Sequence, residues 1–79
     1  MPFRDQMSPH ALRQAARRTV PIDLIEEAFL DPDDERPSED EPRRVIRVKF
    51  LPDGRSLEVV VENDAYTIVT VWIKRGDAR

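Results

Sequence analysis

Cysteine is absent from the chain, and glycine occurs only twice among its 79 residues. Without cysteine there are no disulfide bonds, no zinc–thiolate sites and no thiol nucleophile. Gly54 and Gly76 are too few and too far apart to form a glycine-rich phosphate loop. His10 is the single histidine, which excludes a metal site built from several imidazoles, and the acidic residues lack the spacing of a calcium loop. We therefore expect neither a metal nor a cofactor.

Long hydrophobic runs are also missing. The longest apolar stretches are a few residues, far short of a membrane span. The start of the chain lacks the charged, then apolar, then small-residue pattern of a secretory signal. We expect a cytoplasmic protein that does not enter a membrane. Its length indicates a single domain over residues 1–79, with a thin core.

Acidic charge is concentrated in one segment, residues 31–42. The segment holds three prolines, seven acidic residues and one base, Arg36, so its net charge is −6, whereas the rest of the chain carries +3. Like charges repel, and proline does not enter helix interiors or central strands. We predict a mobile connector that serves as a soluble spacer. Two more specific roles of this segment stay open. It could be a phosphate mimic that competes for a basic face, or an epitope for a basic partner.

Residues 8–30 predict two short helices. Ser8 can accept a hydrogen bond at the start of the first helix, where Pro9 also fits well. Apolar residues gather on one side of this helix, which is expected to stop around Thr19, because Pro21 disfavours a helical conformation in Val20. Apolar spacings of three and four predict the second helix, which runs from about Pro21 to Leu30. Helices of this length need a sheet to cover.

Residues 44–74 predict three antiparallel strands. Hydrophobic side chains alternate with polar ones over 44–51 and again over 57–62, and the Pro-Asp-Gly-Arg sequence at 52–55 is typical of a tight turn. The last strand, 65–74, is apolar on both faces, so we expect it to be the best-buried strand. The final four residues are expected to fray.

The predicted fold is therefore α+β, two short N-terminal helices packed on a three-stranded antiparallel β-meander in the order ααβββ. We expect the helices to cover the apolar face of the sheet, formed by Ile46, Val48, Phe50, Leu57, Val59, Val61, Val69, Val71 and Ile73. The opposite face is expected to carry Arg47, Lys49, Glu58, Glu62, Tyr66, Thr70, Trp72 and Lys74. Whether residues 1–7 add an edge strand stays open.

His10 is the one side chain with an ordinary pKa near neutrality, so it is the candidate general acid or base. It shares the polar side of the first helix with Arg13 and Arg17, whose guanidinium groups suit phosphate. The alternative interpretation is an ordinary solvated helix face.

The outer face of the predicted sheet is the second candidate site. Arg47, Lys49 and Lys74 alternate there with Tyr66 and Trp72. Interleaved bases and aromatic rings are typical of platforms for single-stranded nucleic acid. Two glutamates on the same face weaken this interpretation, and ordinary surface residues with a small dimer patch are the alternative.

Four short stretches resemble a known group of proteins: Ser-Pro-His-Ala at 8–11, Arg-Arg-Thr-Val at 17–20, Asp-Leu-Ile-Glu-Glu-Ala at 23–28 and Ile-Val-Thr-Val-Trp at 68–72. They resemble small bacterial domains of unknown function with a His-Ala…Arg-Gly-Ile…Val-Thr-Val pattern. Those domains are grouped with the RelE/ParE/BrnT-like toxins, whose folds pack helices on an antiparallel sheet.

The chain departs from that pattern at three positions. Gln14 stands where an arginine is usual, Thr19 where glycine is usual, and Pro21 where serine or threonine caps the second helix. The resemblance carries His10, Arg18 and Thr70 over as the candidate catalytic residues. RelE-like relatives are ribonucleases that aid attack of a ribose 2′-OH on the adjacent phosphate, whereas ParE-like relatives target gyrase.

Two functions are therefore expected from the sequence. The first is a toxin-like ribonuclease, or a derivative that binds RNA, with the nucleic-acid contacts made by Arg13, Arg17, Arg47, Lys49, Tyr66, Trp72 and Lys74. The second is a non-catalytic module that pairs through a sheet edge with an antitoxin-like partner or with a second copy.

Overall fold

A computed structural model of the chain describes residues 2–64 and 66–75. The first helix and second helix form where the sequence predicts them, each beginning and ending within two residues of the expected bounds. The elements are a 3₁₀ helix Phe3–Gln6, α1 Pro9–Arg17, α2 Ile22–Leu30, β1 Asp34–Pro37, β2 Val45–Phe50, β3 Ser56–Val61 and β4 Ile68–Lys74. The predicted frayed tail, 76–79, and Ala65, the first residue of the predicted last strand, lie outside the described residues.

The sheet has four antiparallel strands in the order β1-β2-β3-β4, so the prediction of three strands is wrong. The additional strand, Asp34–Pro37, lies within the segment expected to be a mobile connector and pairs with β2. Two charges of this strand form ion pairs within the sheet. Glu35 Oε2 lies 2.9 Å from Arg47 Nε, and Arg36 Nη2 lies 2.8 Å from Glu58 Oε2. Proline is tolerated here because β1 is an edge strand.

The best-buried strand is β3 rather than the last strand. Five of the six residues of β3 are buried, because it lies between β2 and β4. The last strand, β4, is at the edge of the sheet. Residues 1–7 supply no full edge strand in the described part of the chain, only a parallel bridge from Met7 to Ile68.

The two faces of β2 are the reverse of the prediction. Arg47 and Lys49 point to the helix side of the sheet, whereas Ile46 and Val48 belong to a second apolar cluster on the opposite side. Strand β2 is paired in register with β3, where Arg47 lies opposite Val59 of the helix-side core. Alternation identifies the two faces of a strand but not which one meets the helices, and the cationic residues find partners on α2.

The helix-side core is formed where α1 covers β4 and α2 covers β2 and β3. Ala11 and Ala15 are buried on the inner side of α1, and their small side chains allow close approach to the sheet. Ile25 and Phe29 supply larger side chains from α2. The predicted amphipathic character of both helices is confirmed by this burial.

A Schellman turn ends α1. Thr19 N–H donates to Ala16 O at 3.2 Å, and Val20 N–H donates to Ala15 O at 2.9 Å, the two bonds that define this turn. Thr19 therefore takes a left-handed conformation, with φ of 56°. A β-branched side chain is unfavourable there, and glycine is the residue that fits without cost.

Replacing Thr19 by glycine should stabilise the protein. We expect Thr19→Gly to raise the free energy of unfolding by about 1 kcal/mol and the melting temperature by about 4–8 °C. Thr19→Ala is the matched control, because alanine keeps the Cβ atom that opposes a positive φ. Thermal unfolding followed by circular dichroism measures both. A gain from alanine as large as the gain from glycine would contradict the assignment of strain.

Candidate functional site

The face of the sheet opposite the helices, called the open face here, has its own apolar cluster. Ile46, Val48 and Val60 are buried there although no helix covers them. Val69 and Trp72 pack against them from β4. Side chains from neighbouring strands therefore cover this cluster, whereas the helices cover the apolar residues of the other face.

Glu58 is the buried charge of the open face. It is only 3% exposed, and both of its carboxylate oxygens accept hydrogen bonds. Trp72 Nε1 donates to one oxygen at 2.6 Å, and Arg36 Nη2 donates to the other at 2.8 Å. A buried carboxylate is costly unless it is paired in this way. Glu58 therefore fixes the position of the indole ring and of the guanidinium group.

A cavity of about 630 Å³ lies beside this network. Three cationic side chains line it, and each comes from a different element: Arg18 from the end of α1, Arg36 from β1 and Lys74 from the end of β4. Trp72 and Glu58 form part of the same wall. Guanidinium and ammonium groups bind phosphate, and an indole ring stacks on nucleobases.

Two of the three cations are available to a ligand. Arg36 is occupied by Glu58. Within residues 2–64 and 66–75, neither Arg18 nor Lys74 makes an ion pair within 4.0 Å. Both side chains belong to exposed residues. The cavity therefore combines a fixed aromatic wall with two accessible positive charges.

Arg47 serves the fold rather than the cavity. Its Nη1 donates to Phe29 O near the end of α2 at 2.6 Å, and its Nε donates to Glu35 at 2.9 Å. The guanidinium carbon also lies 4.8 Å from the centre of the Phe29 ring. The last carbonyls of a helix lack partners within the helix and carry partial negative charge, so a cation is stabilising there. A role for Arg47 in binding nucleic acid would require it to leave these partners.

Lys49 lies at the same helix end. Its Nζ donates to Asp31 O at 3.1 Å and lies 3.3 Å from a carboxylate oxygen of Glu27. Desolvation lowers the pKa of Lys49, but the hydrogen bond to Glu27 and the charges of Asp33, Glu27 and Asp31 outweigh it, so the pKa lies above its usual value. Lys49 therefore stays charged at neutral pH and holds the end of α2 to the sheet.

His10 lies away from the cavity. It is an exposed residue at the second position of α1, whereas Arg18 follows the last residue of the same helix. Eight residues of helix separate the two along the axis by roughly 12 Å. Arg13 and Arg17 are exposed on the same helix. The structure thus does not bring His10 together with Arg18, or with Arg47 under α2.

The other site residues that the sequence predicts lie in different parts of the structure. Thr70 is half-buried and lies opposite Val60, which places it on the open face. Tyr66 is 47% exposed in the turn before β4, where its carbonyl accepts a hydrogen bond from Gln6. Of the whole predicted set, the structure brings Arg18, Trp72 and Lys74 together in the cavity.

Arg36 and Glu58 are the site residues that the sequence analysis does not identify. Each carries a signal in the sequence: Arg36 is the only base in the acidic segment, and Glu58 is flanked by apolar residues in the most hydrophobic stretch of β3. An acidic residue in a buried strand requires a partner. The sequence does not identify Arg36 as that partner, because the segment that forms β1 is predicted to be a connector and not a strand.

Comparison with models of protein families gives a match. The model of the family described as domain of unknown function DUF4258 matches residues 7–73. The chain belongs to this family. No curated protein and no solved structure matches this DUF4258 domain. The match spans both helices and the four strands except Lys74, the last residue of β4, so every residue that lines the cavity apart from Lys74 lies within the matched region.

None of the helices that the structure describes has the length and apolar character that a membrane span requires. Residues 2–64 and 66–75 contain no group of three or more His, Asp or Glu side chains placed to hold a metal ion.

The structural role of Arg47 can be tested by substitution. We expect Arg47→Met to lower the free energy of unfolding by about 2 kcal/mol, because it removes the hydrogen bonds to Phe29 O and Glu35 together with the contact to the Phe29 ring. Urea unfolding measures the change. Arg13→Met, on the exposed side of α1, should change it by less than about 0.5 kcal/mol. Equal stability of the two variants would return Arg47 to the candidate ligand-binding residues.

Proposed function

We propose that this DUF4258 domain binds single-stranded RNA in the cavity on the open face. The observation that carries the proposal is the convergence of Arg18, Arg36 and Lys74 with the Trp72 indole, from elements far apart in the chain. The wall of the same cavity also carries Glu39, Asp40 and Glu58, so the proposal rests on the positions of Arg18 and Lys74 beside the indole ring and not on an excess of positive charge.

Each group has a distinct role in the proposed complex. Arg18 and Lys74 contact phosphate oxygens, and the guanidinium fork of Arg18 suits a bidentate contact. An unstacked base packs on the indole of Trp72. Arg36 and Glu58 act indirectly, because their bonds hold that ring in place. Bases in a duplex are not free to stack in this way, which favours single strands.

The proposal includes membership of the RelE/ParE/BrnT-like toxin group. RNA cleavage by such a domain requires more of the site than RNA binding does. Cleavage with His10 as general acid or base needs the imidazole beside the bound phosphate. The separation of His10 from Arg18 along α1 favours binding without His10-dependent cleavage. The proposed activity is therefore that of a toxin-like domain that binds RNA.

Loss of the two accessible cations should weaken RNA binding. We expect Arg18→Gln with Lys74→Gln to lower the affinity for a labelled single-stranded oligoribonucleotide about tenfold at low salt. Removing two phosphate contacts should also reduce the salt dependence of binding by about one to two ions released. Fluorescence anisotropy over a salt series measures both quantities. The control is Arg4→Gln with Arg13→Gln, an equal charge change on exposed residues outside the cavity.

An equal loss of affinity in the control pair would show that net charge, or the polar side of α1 that carries Arg13, attracts RNA instead of the cavity. His10→Ala provides an independent arm and should bind RNA as the wild type does. RNA cleavage by the wild type that disappears in His10→Ala would replace the binding proposal with the ribonuclease hypothesis.

A second candidate function rests on the outer edge of β4. Met7 and Ser8 occupy the start of this edge, with Ser8 N–H donating to Ile68 O at 2.9 Å. In the described part of the chain, no strand pairs with the outer edge from Thr70 onward. The opposite edge, β1, is short, charged and ends in proline, which discourages pairing. A strand of an antitoxin-like partner or of a second copy would therefore add at β4.

Self-association through β4 is tested by mass. Sedimentation equilibrium of the wild type across a wide concentration range should show a dimer, and Thr70→Lys should shift it to monomer, because a lysine on an edge strand opposes pairing. Circular dichroism checks that the variant is folded. A wild type that stays monomeric at all concentrations, with no binding to a partner strand, would exclude this candidate.

A further inference from the structure

The turn between β1 and β2 places negative charge at the cavity. Glu39 and Asp40, called the acidic tip here, line the same cavity as Arg18 and Lys74. The turn is held by backbone bonds, with Ser38 N–H donating to Arg44 O at 3.0 Å and Arg44 N–H donating to Glu41 O at 2.9 Å. The acidic tip is therefore held at the cavity by the pairing of β1 with β2.

In the part of the chain that the structure describes, the acidic tip has no ion-pair partner. Among residues 2–64 and 66–75, neither Glu39 nor Asp40 forms an ion pair within 4.0 Å. Both are exposed, as are Arg18 and Lys74. Exposed charges still act on each other over about 8 Å at physiological ionic strength. An anion that approaches the two cations thus also meets the field of the acidic tip.

We infer that the acidic tip is a built-in electrostatic competitor that limits access of anions to the Arg18–Lys74 side of the cavity. Its negative charge reduces the positive potential at Arg18 and Lys74. The binding of anions of low charge is therefore weakened. A polyanion is admitted because it gains counterion release from several phosphates at once. The consequence for RNA rests on the proposed function, whereas the effect on small anions does not.

Trp72 reports on the cavity without any RNA, because it is the only tryptophan of the chain. Iodide is an anionic quencher of indole fluorescence, and acrylamide is a neutral one. In Glu39→Gln with Asp40→Asn, we expect the iodide quenching constant to rise about twofold at low salt, with the acrylamide constant unchanged. The matched control is Asp23→Asn with Glu26→Gln on α2, which makes the same change in net charge.

The RNA arm uses the same variants with the labelled single-stranded oligoribonucleotide. The acidic-tip variant should bind roughly five- to tenfold more tightly than the wild type at low salt, and the advantage should fade as salt rises. The α2 control should bind within about twofold of the wild type.

The two arms separate the two proposals. A rise in iodide quenching without RNA binding in any variant supports the acidic tip as a competitor and removes the RNA proposal. An iodide constant equal to that of the α2 control overturns the competitor, whether or not RNA binds. A rise in iodide quenching together with tighter RNA binding supports both.

Discussion

The carbonyl groups at the end of α2 need donors, and this requirement sets the orientation of β2. Arg47 and Lys49 meet it from the helix side of the sheet. Because side chains alternate along a strand, Ile46 and Val48 must then face the other way. The open face thereby receives an apolar cluster with no helix to cover it, and the fold has to bury that cluster by other means.

Long side chains from the flanking strands provide the cover. Arg36 reaches in from β1 and Trp72 from β4, and both bond the carboxylate of Glu58 on β3. Such a network holds its members in one arrangement, because a member that moves leaves a buried charge without a partner. The cavity beside it is thus bounded by side chains whose positions are set by the packing of the sheet. This coupling links the folding of the open face to the shape of the proposed RNA site.

The sequence predicts what local chemistry determines. The bounds of α1 follow from Ser8, which accepts a hydrogen bond from Ala11 N–H at 3.0 Å, and from the proline that follows the helix. The glycine turn before β3 also follows from local preferences, with Gly54 at φ of 92°. Alternation along a strand does not show which of its faces meets the helices. The prediction therefore assigned the two faces of β2 the wrong way round.

The acidic segment shows the other limit of sequence reasoning. Repulsion among its carboxylates predicts a mobile connector, but partners far along the chain reverse that outcome. Glu35 pairs with Arg47 of the neighbouring strand β2, Arg36 reaches across β2 to Glu58 of β3, and the edge position accommodates Pro37. For the site, the sequence identifies Arg18, Trp72 and Lys74, but it does not identify Glu58, the buried carboxylate that positions the Trp72 ring.

The unequal edges of the sheet have a consequence for assembly. Pro37 and the charges of β1 make one edge a poor template, while β4 is longer and largely apolar. A sheet with a single receptive edge can be extended once, after which the receptive edges of both copies are used up. Under the proposed pairing at β4, edge-to-edge association of sheets would stop at a closed pair and would not grow into a filament.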